Sequence, residues 1–422
     1  MSLLIRMETK KEDLTVKRIA IIAPGYAWLP GEFGTSRFSF LAGLLSDSGY
    51  EVDLIGSTFQ HFKKEQRDID RLKQLDLPYK LVFIPEPGYR KNVDVRRIYS
   101  NYIETRNVIK FLNKHRERYH LIYCVIPPNI LSAKVGQWCQ RQQIPYIVDV
   151  EDLWPEAMKM VVKTPILNDI LFIPYWKDAE KTYRYANGVI GTSDEYTLRA
   201  FKKRRKNIPY TTVYVGTDLD IFDEGVRKYS RDFSKSSKEF RVTYAGSISA
   251  SYDVKTLIDA AKILWDCVSR DIRFCILGTG SLKEEMEHYA NALGCENVKF
   301  LGYVDYQKMA AFLVQSDVLV NSYIKKAPQS IVTKIGDYLA AGKPVINTLA
   351  SIEFMEMVDR EGFGVNVVAE NAEKLAKAVL HLYNDAALRT EMSLNARRCA
   401  EGKFDRKKSY GKVVEMIREL VE

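Results

Sequence analysis

Short runs of apolar residues alternate with longer amphipathic stretches along most of the chain, and the whole pattern occurs twice. The runs are almost continuously apolar, which is typical of strands that are buried on both faces of a parallel sheet. The stretches between them have helical spacing. This order predicts an α/β fold with two doubly wound, Rossmann-like parallel-sheet domains that face a cleft. The first strand set covers 18–23, 50–55, 81–85, 121–125, 145–150, 188–191 and 211–215, and the second covers 240–245, 272–277, 298–301, 318–321, 344–347 and 364–368.

The length of 422 residues suits two domains. A charged, serine-containing stretch with weak apolar periodicity separates the two strand sets, and we interpret it as a linker. The predicted division is an N-terminal domain at 1–220, a linker at 221–239 and a C-terminal domain at 240–400. A charged helix at 401–422 is expected to pack back toward the N-terminal domain.

Composition favours a globular protein of a reducing compartment. Apolar residues make up 46% and charged residues 28%, which excludes a disordered chain. No apolar run reaches the ~18 residues that a membrane-spanning helix needs, and residues 1–17 are too polar for a secretory signal. The six cysteines lack CxxC spacing and histidine neighbours, which disfavours a zinc site or a disulfide framework. We therefore predict a cytoplasmic location.

The net charge of +9 lies mainly in the first half of the chain. Such an excess is compatible with a nucleic acid, an anionic membrane or a phosphorylated substrate. The basic run at 202–206 is either a solvated helix end or a phosphate or membrane contact, and no nucleic-acid-binding module surrounds it. The stretch 158–176 combines apolar residues, lysines and an aromatic pair. It is either a core helix and loop or a peripheral contact with the inner face of an anionic membrane.

Two loops of the first half carry candidate site residues. The loop at 23–37 follows the first strand and leads into a helix, so Gly34 and Arg37 suit an anion. It lacks the GxGxxG fingerprint, and a plain glycine turn is the alternative. Four carboxylates cluster at 149–156, where Asp152 and Glu156 could orient sugar hydroxyls or accept a proton. The alternative is a helix start that Asp152 caps.

The second half offers two glycine loops in corresponding sheet positions and one polar loop. Gly246 and Ser247 follow its first strand, and Gly278 and Gly280 follow the next. Together they outline a pocket for phosphate and ribose, although each alone is also a common turn. The loop at 329–333 opens a helix that carries Lys334 and Asp337 on one face. These side chains suit a diphosphate and a ribose, or form a surface salt bridge.

These residues resemble the GT-B glycosyltransferases of the large retaining family four, in particular bacterial enzymes of capsule, O-antigen or exopolysaccharide synthesis. The resemblance covers about residues 18–400. Its most specific parts are Asp152-Leu153-Trp154-Pro155-Glu156, Tyr244-Ala245-Gly246, Gly278-Thr279-Gly280-Ser281-Leu282, Phe300-Leu301-Gly302-Tyr303-Val304 and Asp337-Tyr338-Leu339-Ala340-Ala341-Gly342-Lys343-Pro344-Val345.

The resemblance implies a nucleotide-sugar donor, held mainly by the second domain, and an acceptor held by the first. It implies no cofactor and no metal. The leaving phosphate would take the acceptor proton on the same face of the sugar. The catalytic set is then Asp152, Glu156 and Gln329. The donor-binding set is Gly34 across the cleft, Arg37, Gly246, Ser247, Gly278, Gly280, Gly302, Tyr303, Val304, Ser330, Lys334 and Asp337.

Two departures from the family pattern concern charge. The usual pair of glutamates, with seven residues between them, is replaced by Gln329 and Asp337. Ser247 and Ser251 stand where the family often has an arginine and a lysine. Lys334 and Arg37 remain as candidate phosphate-binding cations.

The expected activity is transfer of a hexose-type sugar to a surface polysaccharide or lipid-linked glycan. The alternatives are another GT-B activity, such as a nucleotide-sugar epimerase or hydrolase, and a non-catalytic scaffold that binds nucleotide sugars.

Overall fold

The computed structural model describes residues 16–23, 25, 29–30, 32, 36–92, 94–156, 158, 170, 172–202, 207–327 and 329–422. Contacts divide the chain into two compact units. The first unit comprises 1–148, 174–187 and 417–422, and the second comprises 149–173 and 188–416.

The strands are β1 Arg18–Ala23, β2 Glu51–Ser57, β3 Phe59–Gln60, β4 Glu65–Gln66, β5 Lys80–Ile84, β6 Leu121–Ile126, β7 Tyr146–Val150, β8 Gly188–Gly191, β9 Tyr210–Thr212, β10 Phe240–Ala245, β11 Ile272–Leu277, β12 Val298–Gly302, β13 Val318–Asn321, β14 Val345–Asn347 and β15 Gly364–Asn366. The α-helices are α1 Arg37–Asp47, α2 Ile69–Lys73, α3 Val95–Lys114, α4 Asn129–Gln142, α5 Ile173–Tyr185, α6 Asp194–Arg199, α7 Leu219–Tyr229, α8 Val254–Cys267, α9 Lys283–Ala292, α10 Tyr306–Val314, α11 Lys334–Ala340, α12 Ile352–Glu361, α13 Ala372–Asn384, α14 Ala386–Cys399 and α15 Arg406–Val421.

Two parallel sheets organise these elements, as predicted. The first has seven strands in the order β5-β2-β1-β6-β7-β8-β9, and the second has six in the order β12-β11-β10-β13-β14-β15. Strands β1 and β10 lie inside their sheets and pair in parallel with both neighbours. β3 and β4 form a separate antiparallel pair.

The apolar strands of the second sheet are buried on both faces. In β11, Phe274 and Ile276 pack in one hydrophobic cluster, whereas Cys275 and Leu277 pack in another. Successive side chains of a strand point to opposite faces, so the two clusters lie on the two sides of the sheet. This is why the strands read as continuous apolar runs in the sequence.

The segment interpreted as a linker differs from that prediction in its first half, which forms helix α7. The Asp218 carboxylate caps this helix by accepting a hydrogen bond from the Ile221 amide at 3.2 Å. Leu219 and Phe222 are buried in the second unit, with Val226 packed beside them. These three residues form one narrow apolar seam. A seam of that width is hard to recognise in a charged sequence.

Strand order in the second sheet reverses between β10 and β13. The chain runs from β10 outward to β11 and β12, and then returns to place β13 on the other side of β10. In open α/β sheets, ligands bind beyond the carboxyl ends of the strands at such a switch point. The loops after β10 and β13 are therefore the first place to seek a site.

No helix within the described ranges is long and apolar enough to cross a bilayer.

Candidate functional site

A lysine from helix α11 reaches the switch point of the second sheet. Lys334 is the first residue of α11, and its Nζ atom lies 4.4 Å from the ring centre of Tyr244, in β10. The same atom lies 4.9 Å from the ring centre of Tyr323, two residues after β13. The amine therefore stands between the two strands that flank the switch point.

Four tyrosine rings surround this amine, and we call them the tyrosine cage. Tyr252 and Tyr338 complete it, with ring centres 5.1 and 5.9 Å from Lys334 Nζ. The Nζ atom is buried and has no hydrogen-bond partner among the described residues, although part of the side chain remains exposed. Aromatic faces attract a cation, but they do not replace the hydrogen bonds that an ammonium makes in water.

Burial lowers the pKa of Lys334 from 10.5 to about 7. The lysine is therefore poorly satisfied in the free protein, because within the described part of the chain its buried amine has no hydrogen-bond acceptor and no counter-ion. An anion at the switch point would supply both a charge partner and a hydrogen-bond acceptor. The site is thus suited to a phosphate or diphosphate.

Backbone hydrogen bonds hold the cage rings in place. The Tyr338 hydroxyl accepts from the Ala245 amide at 2.8 Å and donates to the carbonyl oxygen of the same residue at 3.1 Å. The Tyr244 hydroxyl donates to the Ser247 carbonyl at 2.6 Å. These bonds fix two rings against the end of β10, so the cage exists before any ligand binds.

The glycine loops after β10 and β11 pack backbone to backbone beside the amine. A Cβ atom on Gly278, which has a φ of +133°, would lie 1.8 Å from the Gly246 carbonyl oxygen. A Cβ atom on Gly280 would lie 2.2 Å from the Ile248 carbonyl oxygen. Larger residues at these two positions would force the loops apart. A Cβ on Gly246 itself would stand 3.4 Å from Lys334 Nζ, so this loop borders the anion position.

The three candidate residues at the end of β12 and just after it differ in their contacts with the glycine loops. The Gly302 carbonyl accepts a hydrogen bond from the Gly278 amide at 2.7 Å, which ties the β12 end to the glycine loops. Tyr303 is 56% exposed. Val304 is partly buried against the hydrophobic core.

Asp337 faces a different set of residues from Lys334, although the spacing predicts a shared face. Its Oδ1 accepts hydrogen bonds from Thr217 Oγ1 and the Tyr306 hydroxyl, both at 2.7 Å. Burial raises the pKa of Asp337, and these two hydrogen bonds oppose the rise. The surface salt bridge with Lys334, which was the alternative interpretation, does not form.

Gln329 and Ser330 precede this helix, and Ser247 follows β10. The Gln329 Oε1 atom is buried, and no donor in the described part of the chain bonds to it. Ser330 is buried, and its hydroxyl lies 3.5 Å from that of Ser351. Ser247 is exposed and donates to Ser249 Oγ at 3.2 Å.

The acidic cluster after β7 is occupied by local contacts. Asp152 accepts hydrogen bonds from the Leu153 amide at 2.8 Å and the Trp154 indole at 3.1 Å. Glu156 Oε1 accepts from Arg199 Nε at 2.7 Å. The second oxygen, Glu156 Oε2, is buried and accepts no hydrogen bond from the residues that the structure describes.

The candidates of the first loop lie in the first unit. Arg37 begins helix α1 and is only 5% exposed, and its guanidinium lies 5.6 Å from the Phe38 ring centre. Gly34 lies outside the described residues, as do 203–206 of the basic run and 159–169 of the proposed membrane segment.

Sequence reasoning missed Tyr252 and Tyr323 as site residues. Both come shortly after a strand end, and that position was the available signal. Their convergence on one lysine depends on how α11 packs, which no local pattern reveals.

Within the described ranges, no three His, Cys, Asp or Glu side chains stand close enough together to hold a metal ion. Metal independence remains a prediction.

Residues 226–399 match the family model of Glycosyl transferases group 1. This range contains Lys334, the whole tyrosine cage and the glycine loops. A curated relative, the uncharacterized glycosyltransferase MJ1069 of Methanocaldococcus jannaschii, is 22% identical over 216 residues, which are 50% of this chain and 53% of that protein. The match thus spans about half the length of that relative.

Solved structures match nearly the whole chain. Sucrose-phosphate synthase of Thermosynechococcus elongatus has a TM-score of 0.71 at 18% identity and covers 96% of this chain and 99% of its own. HepE of Anabaena in complex with UDP has a TM-score of 0.68 at 17% identity, covering 96% and 100%. The fold is GT-B.

A third GT-B structure is WaaG, a glycosyltransferase involved in lipopolysaccharide biosynthesis, with a TM-score of 0.66 at 16% identity over 94% of this chain and 99% of that one. The predicted fold class is therefore confirmed. Sequence identities of this size indicate a shared fold but not a shared substrate.

Proposed function

We propose that this protein transfers a hexose-type sugar, with retention of configuration, from a nucleoside-diphosphate sugar to a surface polysaccharide or lipid-linked glycan. The observation that carries the proposal is the buried Lys334 amine at the switch point of the second sheet, which no hydrogen-bond acceptor of the described ranges contacts. The match of 226–399 to Glycosyl transferases group 1 supports it. The UDP complex of Anabaena HepE supports a nucleotide donor, and the role of WaaG supports a lipid-linked or polysaccharide acceptor.

In this proposal Lys334 binds the donor diphosphate, and the backbone at Gly246 lies beside it. Both hydrogen bonds to Asp337 end on Oδ1, so we assign Oδ2 to a ribose hydroxyl. We assign the unpartnered Oε1 of Gln329 to a sugar hydroxyl. A neutral amide is adequate for this role, because a hydroxyl donates to either an amide or a carboxylate oxygen.

The proposed reaction breaks the bond between the anomeric carbon and the phosphate oxygen. A new bond forms from the same face of the sugar between that carbon and the acceptor hydroxyl oxygen. The acceptor proton passes to the leaving phosphate oxygen, so no strong protein base is needed. Lys334 stabilises the negative charge that grows on the diphosphate, which is the main electrostatic demand of this step.

We further propose that the reaction needs no metal, because the lysine supplies the cation that the leaving group requires. The proposed location is the cytoplasm, with peripheral association at the inner face of the membrane where a lipid-linked acceptor resides.

A thermal-shift screen tests the donor site. UDP, GDP, CDP and dTDP, their sugar conjugates and NAD are added with and without EDTA. We expect stabilisation by one nucleoside-diphosphate class that EDTA leaves unchanged. Lys334→Met should abolish this shift. Lys343→Met is the matched control, because Lys343 precedes β14 and so lies at the amino ends of the strands, opposite the loops of the switch point.

Product analysis then separates the activities. Transfer to a lipid-linked or polysaccharide acceptor, with the anomeric configuration retained by NMR, supports the proposal. Donor hydrolysis or epimerisation without transfer would replace it with the other GT-B activities. Binding without turnover across acceptor classes would favour the scaffold, and a response to NAD alone would refute the donor site.

A further inference from the structure

Helix α3 of the first unit presents apolar side chains to solvent. Val95, Ile98, Tyr99 and Tyr102 are 80%, 56%, 59% and 54% exposed. Their spacing of i, i+3, i+4 and i+7 places them on one face of the helix. They form a continuous stripe rather than scattered exposed residues, and contiguous apolar surface of this kind marks an interaction site.

The opposite face of the same helix is polar and buried. Ser100, Asn101, Glu104 and Thr105 all point into the first unit, and Ser100 Oγ donates to Glu86 Oε1 at 2.7 Å. The first half of α3 is thus inverted relative to an ordinary surface helix, which buries its apolar face. Because the inner face is buried along the helix, with Val108 and Leu112 continuing it in the second half, the outward stripe is not needed to hold the helix on its own unit.

The loop between β3 and β4 extends this apolar stripe. Phe62 in that loop is 56% exposed. Lys64 Nζ donates to Asn92 Oδ1 at 2.6 Å, and Arg97 donates to the Asn92 carbonyl at 2.9 Å. The first contact joins the loop to Asn92 and the second joins Asn92 to α3, so Phe62 lies near the start of the helix.

Positive charge borders the stripe. Five basic side chains of this region are exposed: Arg90, Lys91, Arg96, Arg106 and Lys110. The acidic residue of α3, Glu104, is 3% exposed and faces inward. Asp94 lies before the helix and caps it by accepting a hydrogen bond from the Arg96 amide at 2.9 Å. The outward surface therefore combines apolar and aromatic side chains with basic ones.

We propose that this outward face of α3, extended by Phe62, binds the surface of a bilayer that contains anionic lipids. The helix would lie in the plane of the interface, with its apolar stripe at the headgroup and acyl boundary and its basic residues at the phosphates. Tyrosine is suited to that boundary because its ring is apolar and its hydroxyl is polar. Charge complementarity favours this occupant over a protein partner, because anionic headgroups match the whole basic border.

This inference rests on the membrane association in the proposed function and names the surface of the first unit responsible for it, but vesicle binding does not depend on sugar transfer. The tail of the segment 158–176, which the sequence also offered as a membrane contact, adjoins α3. Burial raises the pKa of Tyr175 and the nearby charge of Arg97 opposes that rise, so these two side chains are neighbours.

Vesicle flotation with the full chain tests the proposal. Vesicles of phosphatidylcholine alone are compared with vesicles that also contain about one third phosphatidylglycerol, at low and at high salt. We expect binding to the anionic vesicles that weakens with salt. Ile98→Gln with Tyr99→Gln should lower this binding at least tenfold, since it removes the centre of the stripe. Arg96→Gln with Arg106→Gln should lower it about 25-fold, at about fivefold per charge.

Matched controls use exposed residues of the second unit. Ile352→Gln with Leu394→Gln changes side chains that are 75% and 63% exposed, and Lys374→Gln with Lys377→Gln changes exposed lysines of α13. Both control pairs should bind vesicles like the unaltered protein. All four altered residues of α3 are exposed, so the melting temperature should not change in those variants.

Three results would overturn the proposal. The first is an absence of binding to anionic vesicles at low salt, and the second is equal binding by the Ile98→Gln, Tyr99→Gln variant. The third is a protein that self-associates in sedimentation through this face, with the apolar variant monomeric, because the stripe would then be an interface between copies of this chain.

Discussion

Replacing Lys334 with methionine should stabilise the ligand-free protein while removing its nucleotide site. Methionine keeps the length of the side chain and removes the amine, which is buried without a hydrogen-bond partner. Its thioether also packs well against aromatic rings such as those of the tyrosine cage. We therefore expect Lys334 to lower the free energy of unfolding of the ligand-free protein, and we expect a bound anion to restore it.

The magnitude follows from the lowered pKa. A pKa of about 7 in place of 10.5 corresponds to about 5 kcal/mol against the charged amine. Cation–π attraction from the four rings, about 0.5–1 kcal/mol each, offsets part of that cost. We therefore expect Lys334→Met to raise the free energy of unfolding by about 1–3 kcal/mol near neutral pH.

The sign of the pH dependence follows from linkage. Between pH 7 and 10.5 the unfolded protein holds a proton on this lysine that the folded protein has released, so the stability of the unaltered protein rises with pH in that window. The variant lacks this effect. The free energy of unfolding of the variant therefore exceeds that of the unaltered protein most below pH 7, and the difference decreases toward pH 10.5.

Urea unfolding of both proteins without nucleotide, at pH 6.5 and pH 9.5, measures the difference. Lys374→Met, at an exposed lysine of α13, serves as the control for loss of a lysine as such. The reasoning is refuted if Lys334→Met is less stable than the unaltered protein at pH 6.5, or if the gap between them does not change with pH.

Four further outcomes are expected. Because a diphosphate favours the charged form of Lys334, nucleotide binding near pH 8 should be accompanied by uptake of a proton, and the affinity should fall above that pH. Calorimetry in buffers of different ionisation enthalpy would measure the proton uptake. A binding heat that does not depend on the buffer would contradict the expectation. Tyr338→Phe leaves the Ala245 amide without its acceptor and should cost about 1–3 kcal/mol by denaturant unfolding, whereas an unchanged midpoint would show that the hydroxyl is replaceable. Asp337→Ala leaves the Thr217 and Tyr306 hydroxyls without their acceptor and should lower the free energy of unfolding by about 2–4 kcal/mol. It should also abolish the thermal shift caused by nucleotide. If that shift is retained, Asp337 is not part of the donor site. Gly278→Ala places a Cβ 1.8 Å from a carbonyl oxygen and should lower both the melting temperature and nucleotide affinity, and a neutral result would mean that the loops separate freely.

Local sequence patterns predicted most elements of the sheets within one or two residues. The predicted 240–245 and 272–277 agree with β10 and β11, because a strand buried on both faces must be apolar at almost every position. Helix α7 was not predicted, because charged residues separate Leu219, Phe222 and Val226, the apolar residues of its narrow seam, in the sequence. The inverted first half of α3 is also invisible to a hydrophobicity pattern, which assigns the apolar face to the core.

The sequence by itself determined the two parallel-sheet domains, the glycine loops at the strand ends and the presence of a lysine near the start of α11. These depend on side-chain periodicity and on backbone requirements that act over a few residues. Only the tertiary structure decided that Lys334 faces four tyrosines while Asp337 faces Thr217 and Tyr306. Strand order and helix packing bring together residues that are far apart in the chain, and the charge state of a buried amine depends on all of those neighbours at once.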